Sequence, residues 1–238
     1  MRQLPLDLQF LAAQGRDDFI IGDSNRLAAT MIDRWPDWPG QFTAVNLVGP
    51  PASGKSHLAA IWREQTGARI LSGLADWHPG AGAGHYVLES PCPGGAWPDE
   101  PLFHLLNRTV EDGTSLLILS PKPVAGLAWR LPDLVSRLRG LNLVQLELPD
   151  DALLCRLLEK YFADQQLAVS RDVVDYMIGR MERSFLAVQT IAAAMDRRSL
   201  AERRNLTLPL AREIMAEFAD GVYSRQSVLP TGMDEQER

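Results

Sequence analysis

The segment Gly49, Pro50, Pro51, Ala52, Ser53, Gly54, Lys55, Ser56 has the form GxxxxGK[ST], a phosphate-binding loop. It constrains the fold more than any other stretch, because such a loop works only between a buried strand and a helix. Its glycines let the chain wrap so that backbone N–H groups face phosphate oxygens. Lys55 would reach the β- and γ-phosphates, and the Ser56 hydroxyl can sit on Mg²⁺. Both flanks suit the motif. Residues 43–48 form an apolar run that reads as a buried strand, and residues 57–63, beginning at His57, read as a helix whose N-terminus faces the anion. The ligand class is therefore a nucleotide, ADP or ATP. Whether it is hydrolysed depends on acids supplied from elsewhere in the chain.

Around this loop, strand and helix patterns alternate. A first helix carries Leu27, Met31 and Ile32 and stops at the Pro- and Gly-containing segment 35–40. After the loop come a short strand at 68–71, a strand at 85–89 and a helix at 101–112 closed by Gly113. Strands at 115–119 and 143–148 complete the set. This order predicts an α/β fold, a parallel five-stranded sheet flanked by helices, over residues 16–148. Residues 77–98 are rich in Gly and Pro and read as mostly loop.

From Pro149 no strand pattern recurs. Asp150 or Asp151 and Ser170 are placed to cap helices, a third helix runs from about Ser184 to Glu202, and Pro209 fits the first turn of a fourth. Residues 149–222 thus read as a small all-helical lid domain with Leu and Met stripes as its core. Residues 1–15 and 223–238 read as tails.

Composition narrows the class further. With 46% hydrophobic residues the chain can bury a core, and no run of about 18 apolar residues suggests a membrane span. The N-terminus has no signal-peptide pattern. Two cysteines, Cys92 and Cys155, show no ligand spacing, which suits a cytoplasmic protein with reduced thiols. A net charge of −6 argues for weak or absent direct DNA binding.

An α/β phosphate-loop domain followed by a helical lid resembles the AAA+ ATPases, and particular residues narrow the likeness to the DnaA-related branch. Phe19, Ile20 and Ile21, in the segment 19–25, resemble that branch's adenine-side motif. Residues 131–138 (Leu-Pro-Asp-Leu-Val-Ser-Arg-Leu) resemble its box VII, and residues 150–154 and 206–214 resemble its lid. Among these proteins the chain is most similar to the Hda-like group. It ends after the lid, leaving no room for the C-terminal helix-turn-helix domain of DnaA. It also begins with Gln3, Leu4, Pro5, Leu6, Asp7, Leu8, similar to a short peptide that docks on the DNA polymerase III sliding clamp (β subunit). Such a peptide can bury Leu4, Leu6 and Leu8 in an apolar groove while the Gln3 amide anchors one end.

The resemblance implies a regulator that binds adenine nucleotide and Mg²⁺, rides on the clamp and stimulates hydrolysis of DnaA-bound ATP, restraining initiation of replication. Homo-oligomers are open to such a protein. It also implies roles for particular residues. Ser56 and Glu89 would hold the metal. Arg137, with Arg139 as fallback, would be the box VII arginine that reaches in trans to a neighbour's γ-phosphate. Arg183, expected one turn before Leu186 on the same helix face, is the candidate for the lid's nucleotide-sensing arginine. Two departures weaken intrinsic ATPase activity. The third strand ends Glu89-Ser90 where two acids are usual, and a serine is not basic at neutral pH. The sensor strand ends Ser120-Pro121, leaving Ser120 to serve. Read without the resemblance, Arg137 would be a surface arginine pairing with Asp133, worth about 0.3–0.5 kcal/mol. The rival functions are an autonomous P-loop ATPase such as a helicase loader, a DNA-binding DnaA-like initiation factor, and a small-molecule kinase. The kinase is the least favoured.

Overall fold

A computed structural model describes residues 15–40, 42–78 and 83–221. The expected clamp peptide Gln3–Leu8 and the C-terminal tail lie outside these residues. The chain divides into two compact units, 1–150 and 151–238.

In the first unit, α1 (Arg26–Asp33) precedes β1 (Ala44–Val48), which runs through the phosphate loop into α2 (Lys55–Thr66). Then follow β2 (Arg69–Leu71), β3 (Tyr86–Glu89), α3 (Asp99–Glu111), β4 (Leu116–Ser120), α4 (Pro132–Arg139) and β5 (Asn142–Gln145). The five strands pair in parallel in the order β2-β3-β4-β1-β5. The last strand stops at Gln145, short of the expected 148, although Leu146 N still donates to Val48 O (2.7 Å).

Because successive side chains alternate across a strand, a sheet covered on both faces is apolar on both. Val45 and Leu47 of β1 and Leu117 and Leu119 of β4 face one layer with Ala28, Ala29 and Ile32 of α1 and Leu58, Ile61 and Trp62 of α2. Ala44, Leu116 and Ile118 face the other, against Leu102, Leu105 and Leu106 of α3 and Leu134 and Leu138 of α4. Burying each such Leu or Ile contributes about 1.5–3 kcal/mol, so these two layers fix the sheet that carries the loop.

One corner of the first layer is aromatic. Trp38 stacks on Trp62 (5.4 Å), and Trp35 and Trp62 meet His85 edge-on (5.3 and 6.1 Å). His85 Nδ1 accepts the Ser115 N–H at 3.0 Å. Burial holds the His85 imidazole below its ordinary pKa of 6.5. A base whose folded pKa is depressed contributes stability that is complete above the unfolded pKa and is lost as pH falls through the folded one. The parent chain should therefore lose stability as pH drops below about 6.5. His85→Gln should flatten that slope in urea titrations; an unchanged slope would contradict the assignment.

The second unit is all helical: α5 (Asp151–Asp164), α6 (Arg171–Ile178), α7 (Phe185–Glu202) and α8 (Leu208–Ala219). Its core includes Leu154, Leu158, Phe162, Val174, Met177, Ile191, Met195, Leu210 and Ile214. Ser184 caps α7, its hydroxyl accepting the Ala187 N–H at 3.1 Å. Arg198 Nη2 on α7 donates to both carboxylate oxygens of Glu217 on α8 (2.6 and 2.8 Å), tying these helices together. None of the described helices is long and apolar enough to cross a membrane.

Candidate functional site

The parallel order puts the carboxyl ends of β1, β4 and β3 side by side, where open α/β sheets bind ligands. Val48 pairs with Ser120, and Glu89 with Leu119, so the phosphate loop, Ser120 and Glu89 share one edge of the sheet.

The loop turns so tightly that glycine is required at two points, Gly49 and Gly54. A Cβ added to Gly49 would lie 2.6 Å from the Leu146 carbonyl oxygen and 2.8 Å from Ser53 Oγ. Gly54 has φ +97°, and Ala52 also lies in the left-handed region at φ +58°. Gly54 is the N-cap of α2, whose first N–H groups have no acceptor within the helix and so favour an anion. Lys55 begins α2. Its ammonium donates to the carbonyls of Gly49 and Pro50 (both 2.7 Å) and reaches Ser53 Oγ at 3.4 Å. Burial lowers its pKa from the usual value. A partly desolvated cation lying on the loop, a glycine with no room for a side chain and free helix N–H groups fit a polyphosphate. Gly49→Ala should cost about 1–3 kcal/mol through overpacking and should deform the cradle. Denaturant unfolding measures the first effect and nucleotide titration the second.

Phe19 is buried and meets His57 edge-on at 5.1 Å, so the segment 19–21 lies against the first turns of α2. Asn25 holds it there, with Nδ2 donating to Ile20 O (3.0 Å) and Oδ1 accepting from Gly22 N (2.8 Å). Ile21 packs on the same layer. Ser56 and Glu89 are exposed, one in the first turn of α2 and the other at the end of β3. Their oxygens suit a hard divalent cation beside phosphates. After Glu89 the chain turns sharply: Ser90 has φ +48° and donates its N–H to Leu119 O at 2.7 Å.

Other expectations are corrected. Ser120 is 1% exposed, and its hydroxyl accepts from Asn46 Nδ2 at 2.8 Å. Asn46, buried in β1, also donates to Ile118 O (3.1 Å) and accepts from Val124 N (3.1 Å). Ser120 is thereby drawn into an internal network linking β1, β4 and the following loop. Arg183 is not on a helix face. Ser184 in an extended conformation starts α7 only at Phe185, and Arg183 pairs instead with Asp151 at 2.8 Å.

Arg137 sits in the last turn of α4, and the Asp133 pair does not form. Among the described residues it makes no ion pair; its guanidinium lies over the Phe42 ring, 5.0 Å from the centroid. The start of α4 is fixed by Asp99, which accepts the N–H groups of Arg130 (2.6 Å) and Leu131 (2.9 Å). This role of Asp99 is a contact between residues about thirty positions apart, which the sequence alone does not reveal. Asn46, an amide within an apolar strand, was a readable sign.

With this geometry established, similarities to known proteins can be placed. Residues 151–215, within the second unit, match the family described as Hda, lid domain. Domain III of the replication initiation protein DnaA from Thermotoga maritima superimposes with TM-score 0.71 at 15% identity, covering 86% of this chain and 96% of that one. The AMPPCP-bound DnaA of Aquifex aeolicus gives TM-score 0.61 at 17% identity, over 79% of this chain and 68% of that one. An uncharacterized protein of Haemophilus influenzae is 30% identical over 115 residues, 48% of this chain. The chain spans about half the length of that curated relative, 50%. The sheet order, phosphate loop and helical second unit define an AAA+ fold. Within that class, residues 151–215 are similar to the Hda lid domain, and the chain shares the fold of domain III of DnaA.

Proposed function

We propose that this chain is a nucleotide-binding regulator of replication initiation that supplies an arginine to DnaA. In this reading Gln3, Leu4, Pro5, Leu6 and Leu8 tether it to the DNA polymerase III sliding clamp, and Arg137 approaches the ATP held by a neighbouring DnaA. The observation that carries the reading is a contrast between the end of β3 and the end of α4. The strand that would supply two acids ends Glu89-Ser90, whereas Arg137 stands at the end of a braced helix with no carboxylate claiming it among the described residues.

Gly49–Ser56 would hold the phosphates of ADP or ATP, with Phe19, Ile20, Ile21 and His57 on the adenine side. Ser56 and Glu89 would hold Mg²⁺, which when bound neutralises phosphate charge. The AMPPCP in the Aquifex aeolicus DnaA is consistent with a nucleotide here. Ser90 has no group to take a proton from water at neutral pH, so the nucleotide acts chiefly as a structural ligand. Clamp tethering raises the local concentration of the arginine donor by linkage alone.

The test of the tether is the triple substitution Gln3→Ala, Leu6→Ala, Leu8→Ala. It should abolish clamp binding in calorimetric titration while shifting the melting temperature by no more than about two degrees. Clamp affinity equal to that of the parent would exclude the tether.

A further inference from the structure

The contact that restrains Arg137 is aromatic, and its geometry assigns a role to Phe42. This residue lies just ahead of β1 in a stretch tied down on both sides. The Thr43 hydroxyl donates to the Thr114 carbonyl, and Asn142 Nδ2 donates to Pro39 O (2.7 Å) and Ala44 O (3.2 Å). The ring packs against the turn that ends α4. A Cβ added to Gly140 would come within 2.7 Å of Phe42 Cε2 and 3.0 Å of Cδ2, so only glycine leaves the ring its place. Gly140 N donates to Arg137 O at 3.0 Å, so the turn that seats the ring also carries the arginine. The Arg137 guanidinium is 5.0 Å from the ring centroid, within the range of a cation–π contact.

The kind of contact matters. A carboxylate would occupy the N–H donors of the guanidinium in two-pronged hydrogen bonds. An aromatic ring attracts the charge and restrains a rotamer-rich side chain while leaving those donors uncommitted. We infer that Phe42 is a positioning residue: its ring holds the Arg137 guanidinium in place, donors free, for the phosphate oxygens of a neighbouring molecule. This rests on the reading that Arg137 acts in trans.

Four variants of the full chain test it: Phe42→Leu, Phe42→Tyr, Gly140→Ala and Arg137→Ala. Phosphate release from DnaA-bound ATP is followed against concentration of each variant, with clamp and DNA present. Misplacing a reacting group by about an ångström can cost about 100-fold, so Phe42→Leu and Gly140→Ala should lower the maximal rate about 10- to 100-fold. The half-saturating concentration should stay within about twofold, because binding is not what the ring supplies. Phe42→Tyr, which keeps the ring, should retain the parent rate. In ¹⁵N-labelled protein the Arg137 Nε–Hε signal should show a ring-current displacement in the parent and Phe42→Tyr, lost in Phe42→Leu.

A Phe42→Leu chain as active as the parent, with Arg137→Ala inactive, overturns the positioning role and leaves the trans arginine standing. Equal losses in Phe42→Leu and Phe42→Tyr also overturn it, since they would reflect a general packing need. Full activity in Arg137→Ala overturns both. If Phe42→Leu does not fold, Gly140→Ala is read on the same terms with the ring intact, and parent-level rates there refute the proposal.

Discussion

Arg137→Ala will bind nucleotide and clamp as the parent does, yet DnaA-bound ATP beside it will be hydrolysed about 10³–10⁵-fold more slowly than beside the parent, the usual worth of an arginine finger. The separation of effects follows from where the residue lies. Arg137 is on the last turn of α4, a helix braced at its start by Asp99 and at its end by the Phe42–Gly140 contact. Its side chain is half-buried and contributes no ion pair among the described residues. Truncation forfeits one exposed-type cation–π contact, about 0.5–1 kcal/mol, too little to unfold the unit. A loss of stimulation with unchanged melting temperature and nucleotide affinity therefore reports the guanidinium itself. Arg139, exposed and two residues on, serves as the internal control: Arg139→Ala should leave stimulation close to the parent value.

Lys55→Ala has the second largest expected effect, on nucleotide affinity. The ammonium is partly desolvated and already surrounded by oxygen acceptors, the carbonyls of Gly49 and Pro50. Hydrogen bonds to charged groups contribute about 1.5–3 kcal/mol each, and losing a cation that would meet two phosphates weakens binding at least about 100-fold. The consequence is visible without any enzymatic assay. At a nucleotide concentration about 100 times Kd the parent gains about 2.7 kcal/mol of stability. For a chain of this size that raises Tm by roughly 5–10 °C. The variant should show no such rise at the same concentration. Equal shifts for parent and variant would remove the loop from the binding site.

The strand–loop–helix unit was legible because each of its requirements is local: an apolar run for β1, glycines where the backbone must turn, and an amphipathic start for α2. Parallel pairing followed from the alternation of strands and helices, and the lid from four apolar helical stripes. What could not be read were contacts between residues far apart in sequence. Phe42 and Arg137 are separated by a strand order that returns β5 to the side of β1 opposite β4. Asp99 reaches Arg130 and Leu131 because α3 and α4 pack on the same face of the sheet. The i,i+4 spacing of Asp133 and Arg137 offered a plausible local pair, and the aromatic contact displaced it. Ser184 marked the start of α7 in the sequence as in the structure, yet its cap excluded Arg183 from the helix. A cap fixes a boundary to the residue, which a periodic pattern alone does not.

The account turns on whether this chain acts on the nucleotide of another molecule or on its own. The direct measurement is phosphate release in a reconstituted mixture of sliding clamp, DNA and DnaA–ATP, with and without this chain. The account predicts little release from the chain alone, a large increase in hydrolysis of DnaA-bound ATP when it is added, and loss of that increase with Arg137→Ala. Steady turnover by the chain in the absence of DnaA, dependent on Glu89 and indifferent to Arg137, would contradict it.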